Sequence, residues 1–200
     1  TDKYKTSKIL SSNIFKVPFT LKIEKLSLDY LRDVKYPCVV KPSKYSSGSS
    51  DVFLIKNEKE AIYTIDKMLE NNMIPIIQEY IPETEGEFTV GVLSVKDKSV
   101  ISSIAIKRMF DSKLSVKTKN DNILISSGYT QGLIDDFRDI RLTCESIAMS
   151  IGSEGPINVQ GRVKDDEFIS FEVNPRFSGS VYLRTLAGVN EVDLFLQYLI

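Results

Sequence analysis

Apolar and polar positions recur along the chain at two spacings, and the spacings divide it into elements. Phe168, Phe171 and Val173 are the apolar partners of a strand predicted from about Glu167 to Asn174. Side chains two apart in a strand share a face, so Glu172 and Asn174 project together, with Arg176 two residues further on. A solvated strand face is the ordinary reading of such alternation. Pro175 changes it: a proline cannot donate to a ladder and pushes the preceding residue toward extended geometry. Asn174 and Arg176 then lie where strand gives way to loop, which is where ligands sit in α/β proteins.

The same spacings place the other elements. "DKYKTSKILSSNI" reads as a helix opened by Asp2, and Val17–Pro18 begins an extended segment. Val39 and Val40 belong to a buried strand that ends in the turn formers of residues 41–51. "VFLI" returns as a strand. Ala61, Ile62, Ile65, Met68 and Leu69 then fall at helical spacing behind Asn57, an N-cap residue. Residues 74–81 form another buried strand, "PETEGE" a hinge loop, and strands are expected at about 87–95 and 99–107. The pattern gives no element from there to about residue 132. Ile134, Phe137, Cys144, Ile147, Ala148 and Ile151 mark a further helix. Strands near 156–163 and 167–174 form a hairpin around "KDD", and "EVDLFLQYLI" is helical.

The 200-residue length fits one compact domain or one domain of two lobes. Hydrophobic content of 42% and charged content of 26% exclude disorder as the main story. A net charge of −1 argues against a general nucleic-acid binder. No apolar run approaches the roughly 18 residues of a membrane span, and the N-terminus lacks a signal peptide's apolar core. A cytoplasmic protein is therefore expected. Cys38 and Cys144 match no metal spacing and read as reduced packing residues. The absence of histidine removes every mechanism that needs it. Carboxylate, amide, lysine, arginine and hydroxyl chemistry remains, which suits a hard cation and phosphate.

Within that chemistry, the hairpin pairs Gln160 with the strand that carries Glu172. If Gln160, Glu172 and Asn174 converge they make an all-oxygen magnesium site, with the remaining positions left to water and phosphate. A buried Glu172 needs a compensating cation or Arg176. Lys41 closes a buried strand before a Gly/Ser run, as in a phosphate clamp whose backbone N–H groups wrap the oxygens; an ordinary surface loop is the alternative. Glu87 is either a ribose ligand or a solvated acid. Lys107 and Arg108 either neutralise phosphate or an acidic substrate, or face solvent.

Taken in order, "DK" at residues 2 and 3, "YPCVVKPSKYSSGSSDV", "IIQEYIPETEGEFTVGV", "GPINVQGRV" and "FEVNPRFSGS" resemble the ATP-grasp superfamily, especially the carbamoyl-phosphate synthetase large-subunit type. The resemblance implies an α+β fold of two lobes clamping a nucleotide: a small lobe at about 18–82, and a large lobe at about 83–200 that includes the N-terminal helix 1–15. It implies Gln160, Glu172 and Asn174 as ligands of Mg2+, with Mn2+ an alternative, and Arg176 beside the transferring phosphoryl group, with Lys41 and Asn174 also in the catalytic set. Lys3, Lys41, Lys107 and the loop Ser47, Gly48 and Ser49 would contact phosphates. Gln78, Glu79, Tyr80 and Ile81 would receive adenine through the backbone, and Glu87 the ribose.

The implied activity is that of an ATP-dependent ligase, phosphorylating a carboxylate to an acyl phosphate for attack by an amine or other nucleophile. A synthetase-like domain acting on bicarbonate or carbamate is one alternative, and a nucleotide-binding module without catalysis another. The chain begins on a helix with no preceding strand and ends on apolar residues. A fragment lacking an N-terminal domain of the same protein is therefore expected, with ATP and a small carboxylate as partners and a homodimer as one open arrangement.

Overall fold

The computed structural model describes residues 2–44, 51–97, 99–111, 114, 116–120, 123–127 and 129–200. Three antiparallel sheets and five α-helices make up the described fold. The Gly/Ser run with Ser47, Gly48 and Ser49 lies outside the described residues.

The first helix, α1 (Lys3–Ser12), starts as its sequence demands. Asp2 caps it by accepting from the Lys5 N–H at 3.1 Å. Asp2 also accepts from the Ser43 hydroxyl at 3.1 Å, and the Lys3 N–H donates to the Ser43 carbonyl at 2.9 Å. The start of α1 is thereby tied to the chain that leaves β2 (Cys38–Pro42).

A four-stranded sheet runs in the order β1 (Thr20–Lys22), β4 (Pro75–Glu79), β2, β3 (Phe53–Ile55). Helix α2 (Glu58–Glu70) covers it. Its buried Ala61, Ile65 and Met68 repeat at helical spacing, and Asn57 caps it through the Glu60 N–H at 3.0 Å. These residues pack with Ile23, Leu31, Cys38, Val40, Ile55 and Ile77 into one core. Leu31 closes a short 3-10 helix, Leu28–Leu31.

A five-stranded sheet runs in the order β11 (Glu167–Asn174), β10 (Pro156–Lys164), β5 (Glu87–Ser94), β6 (Val100–Arg108), β9 (Gly132–Asp135). Phe88, Val90, Val92, Ala105, Val159 and Val173 make the apolar face of this sheet, covered by Leu10 of α1 and by Cys144, Ile147 and Ala148 of α3 (Arg138–Ser150). Helices α4 (Val181–Leu186) and α5 (Glu191–Leu199) follow the last strand, and β7 (Val116–Asn120) and β8 (Ile123–Ser127) pair separately.

Two expectations need correction. Ile134 belongs to β9, not to the following helix, and Phe137 stands before that helix at φ 36°, so the helix starts at Arg138. Phe171 does not join the core. A bulge between Gln160 and Gly161 pairs Gly161 with Ser170 and Gln160 with Glu172, leaving Phe171 without a cross-strand partner.

Candidate functional site

The five-stranded sheet has a second face, and polar residues occupy it. Strand pairing places Gln160 opposite Glu172, Asn158 opposite Asn174, and Arg162 opposite Glu87. Antiparallel partners share a face, so Gln160, Glu172 and Asn174 stand together, each partly buried. One carboxylate and two amides fit a hard cation that keeps room for phosphate oxygens. Among the described residues no three or more His, Cys, Asp or Glu side chains gather as metal ligands, so a cation held here would depend on the two amides.

Cations gather beside Glu172. Lys41, 7% exposed, has its ammonium 5.9 Å from the Phe171 ring centroid. Burial pushes the Lys41 ammonium down to about 8; Glu172 opposes the shift, and Lys3 and Arg162 reinforce it. Burial likewise lowers Lys3, opposed by Glu172 and Asp2. Three positive groups thus crowd around one strand end, and a polyanion would relieve their repulsion. Arg176 is not Glu172's compensating cation in this arrangement. It is exposed and donates from Nη1 to the Phe177 carbonyl at 2.9 Å; Lys3 and Lys41 are the cations on which Glu172 acts.

Residues 78–81, expected to receive adenine, divide. Gln78 is buried, donates to the Thr20 hydroxyl at 3.0 Å and lines a cleft with Lys3, Thr6, Ser7, Ser170 and Glu172. Glu79 accepts from the Phe19 N–H at 3.2 Å and pairs with Lys164 at 3.6 Å. The Tyr80 hydroxyl donates to Glu83 at 2.7 Å, and burial with that contact pushes its pKa up to about 12. Ile81 offers its carbonyl to Arg162.

Glu87 and Lys107 lie on opposite faces of the five-stranded sheet. Glu87 is 2% exposed, accepting from Arg108 Nη1 at 3.1 Å and from Arg162 Nε at 2.9 Å. Lys107 pairs with Phe88, and its ammonium lies 5.8 Å from that ring centroid, on the opposite sheet face from Gln160. Arg108, one residue on, is the member of the basic pair that joins the polar face.

Sequence reasoning missed Arg162, although the alternation that picked out Gln160 reaches it two residues later. Arg184 and Glu191 carried no signal. Both are fully buried and paired at 3.2 Å, and Arg184 Nη2 donates to Asn158 Oδ1 at 2.8 Å. A β-carbon at Gly91 would sit 2.1 Å from Arg184 Nη1 and 2.1 Å from Glu191 Oε1, so only glycine leaves room for the pair.

Two sheets with separate cores, and a polar strand pair with lysines at its end, define an α+β class. The chain belongs to the ATP-grasp family: the model of the ATP-grasp domain matches residues 1–180. It is 24% identical over 176 residues to the human mitochondrial carbamoyl-phosphate synthase [ammonia], covering 87% of this chain and 11% of that protein. With the carbamoyl phosphate synthase large chain of Clostridium beijerinckii it shares 27% identity over 177 residues, 86% of this chain and 16% of that one. The chain thus spans less than a fifth of the length of these relatives.

Among solved structures, D-alanine–D-alanine ligase from Bacillus anthracis superposes with a TM-score of 0.70 at 20% identity, over 98% of this chain and 66% of that one. An N5-carboxyaminoimidazole synthetase from Staphylococcus aureus complexed with ADP gives 0.71 at 16% identity, over 92% and 47%. Both likenesses confirm the fold. No described helix is long and apolar enough to cross a membrane.

Proposed function

We propose that this chain is the Mg-ATP-binding domain of a longer ligase that phosphorylates a small carboxylate, bicarbonate or carbamate for attack by a nucleophile. The two sheets with separate cores support a small lobe at about 18–82 and a large lobe formed by about 83–200 with the N-terminal helix. The observation that carries the reading is Lys41: a buried ammonium beside Lys3 and Arg162, at the strand end where Gln160 faces Glu172.

In this reading Lys3 and Lys41 hold the polyphosphate, and Gln160, Glu172 and Asn174 would hold magnesium. The metal supplies charge neutralisation and orientation to the phosphates. Arg176, exposed on the loop after β11, would face charge developing on the transferring phosphoryl group. Positioning and electrostatics are most of what phosphoryl transfer asks of a protein. The names of the relatives, synthases and ligases that include one complexed with ADP, support the reaction class.

Calorimetric titration of the full-length protein with ATP, with and without magnesium, tests the reading. Binding is expected to fall in Lys41→Ala, and the magnesium enhancement to vanish in Glu172→Gln. A folded protein that ignores ATP under both conditions refutes it.

A further inference from the structure

Arg184 lies against Gly91 of β5, in the space that a β-carbon would take. Its Nη1 pairs with Glu191 Oε2 at 3.2 Å, and its Nη2 donates to Asn158 Oδ1 at 2.8 Å. The Thr89 hydroxyl donates to the same oxygen at 2.9 Å. Arg184, Glu191, Asn158 and Thr89 are all buried.

A guanidinium can only donate, so the Asn158 amide has one orientation. Its oxygen is held on the β5 side by Arg184 and Thr89, which leaves its nitrogen toward β11. There Asn174 stands directly opposite in register. Opposed side chains have β-carbons about 4.5–5.5 Å apart, within reach of two amides. Among the described residues the buried Asn158 Nδ2 has no hydrogen-bond partner, a state that calls for an acceptor. Asn158 shares the face of Gln160 and Asn174, but with its oxygen taken it is no third amide ligand for a cation. Its N–H groups instead select how Asn174 turns, because an Asn174 nitrogen facing them would set donor against donor.

We propose that Arg184, anchored by Glu191, is a positioning residue of the magnesium site: it fixes Asn158 as a donor to Asn174 and so keeps the Asn174 oxygen turned toward β10. This rests on the nucleotide reading above. Partners that orient a metal ligand in this way contribute about tenfold or more in metal affinity.

The test replaces the ion pair as a whole, by Arg184→Met together with Glu191→Leu in the full-length protein. Exchanging a buried pair for apolar side chains spares a fold that breaking the pair would not. The quantity read is the magnesium enhancement, the calorimetric Kd for ATP without magnesium divided by that with it. The expected result is an unchanged Kd without magnesium and an enhancement reduced about tenfold. On an Asn174→Ala background the same replacement should remove nothing further, because its effect passes through Asn174. Wild-type enhancement in a cooperatively melting double variant overturns the proposal, and so does a loss that repeats in full on the Asn174→Ala background. If the double variant does not melt cooperatively, Arg184→Lys decides. Its ammonium keeps the charge beside Glu191 but lacks the fork that reaches Asn158 as well, and wild-type enhancement there overturns the proposal equally. In these cases the wild type still binds ATP more tightly with magnesium, and the nucleotide reading stands. A wild type that binds ATP no better with magnesium overturns the metal assignment and this proposal together.

Discussion

Lys41→Met should make the protein more stable and less able to bind ATP. Burial lowers the Lys41 ammonium from 10.5 to about 8. Each unit corresponds to 1.36 kcal/mol, so keeping this lysine charged in the fold at neutral pH costs about 3 kcal/mol relative to the unfolded chain. Methionine fills a similar volume and removes that cost, and Glu172 keeps Lys3 as a neighbouring cation. For a domain of this size the gain corresponds to a rise of about 6–12 °C in melting midpoint. The pH dependence carries the sign. Between pH 8 and 10.5 the unfolded chain retains a proton on Lys41 that the folded chain has released, so wild-type stability gains from rising pH there. Lys41→Met lacks that gain, and the gap between the two proteins narrows as pH climbs. Scanning calorimetry at pH 7, 8, 9 and 10, with ATP titrations at pH 7, checks both parts. A variant that melts at or below the wild type at pH 7, or a gap that does not change with pH, refutes the reasoning. Unaltered ATP affinity refutes the assignment of Lys41 to phosphate.

Three further outcomes are expected. Glu172→Gln should fold with a near-normal melting point yet lose magnesium-dependent ATP turnover in the full-length protein; turnover at the wild-type rate would remove Glu172 from the metal set. Glu191→Gln leaves the Arg184 guanidinium buried without its carboxylate and should destabilise by about 3–5 kcal/mol in denaturant titration, whereas Gln at the exposed Glu70 should change little. Asn57→Ala removes the cap of α2 and should cost about 1 kcal/mol in the same assay.

What the sequence disclosed follows from how local each signal is. The caps Asp2 and Asn57, the hairpin around residues 165 and 166 and the apolar spacing of α2 depend on near neighbours, and the structure has them in place. Turn residues Asp165 and Asp166 both take positive φ, as a two-residue hairpin loop requires, and Glu85 accepts from both of their N–H groups. That hairpin made the pairing of the two strands legible, but its register alone would set Gln160 opposite Phe171; the bulge between Gln160 and Gly161 is what brings Gln160 opposite Glu172. Other features depend on contacts made far along the chain. Which residue of Lys107 and Arg108 joins the polar face is decided by the pairing of β6 with β5, and the exclusion of Phe171 from the core by a bulge that alternation hides. The engagement of Glu87 needed Arg162 to arrive from 75 residues away. Ile134 misled because an apolar residue at the end of a strand falls in phase with the helix that follows.

The Arg184–Glu191 pair bears on how the protein is trimmed for expression. The family match stops at residue 180, an inviting place to end a recombinant clone. Cutting there removes the guanidinium that Asn158 and Thr89 accept from, and uncovers the polar side of β5 and β10. A clone ending between 185 and 190 is worse, since it retains Arg184 and discards its carboxylate. The boundary that preserves the folded unit lies beyond Glu191.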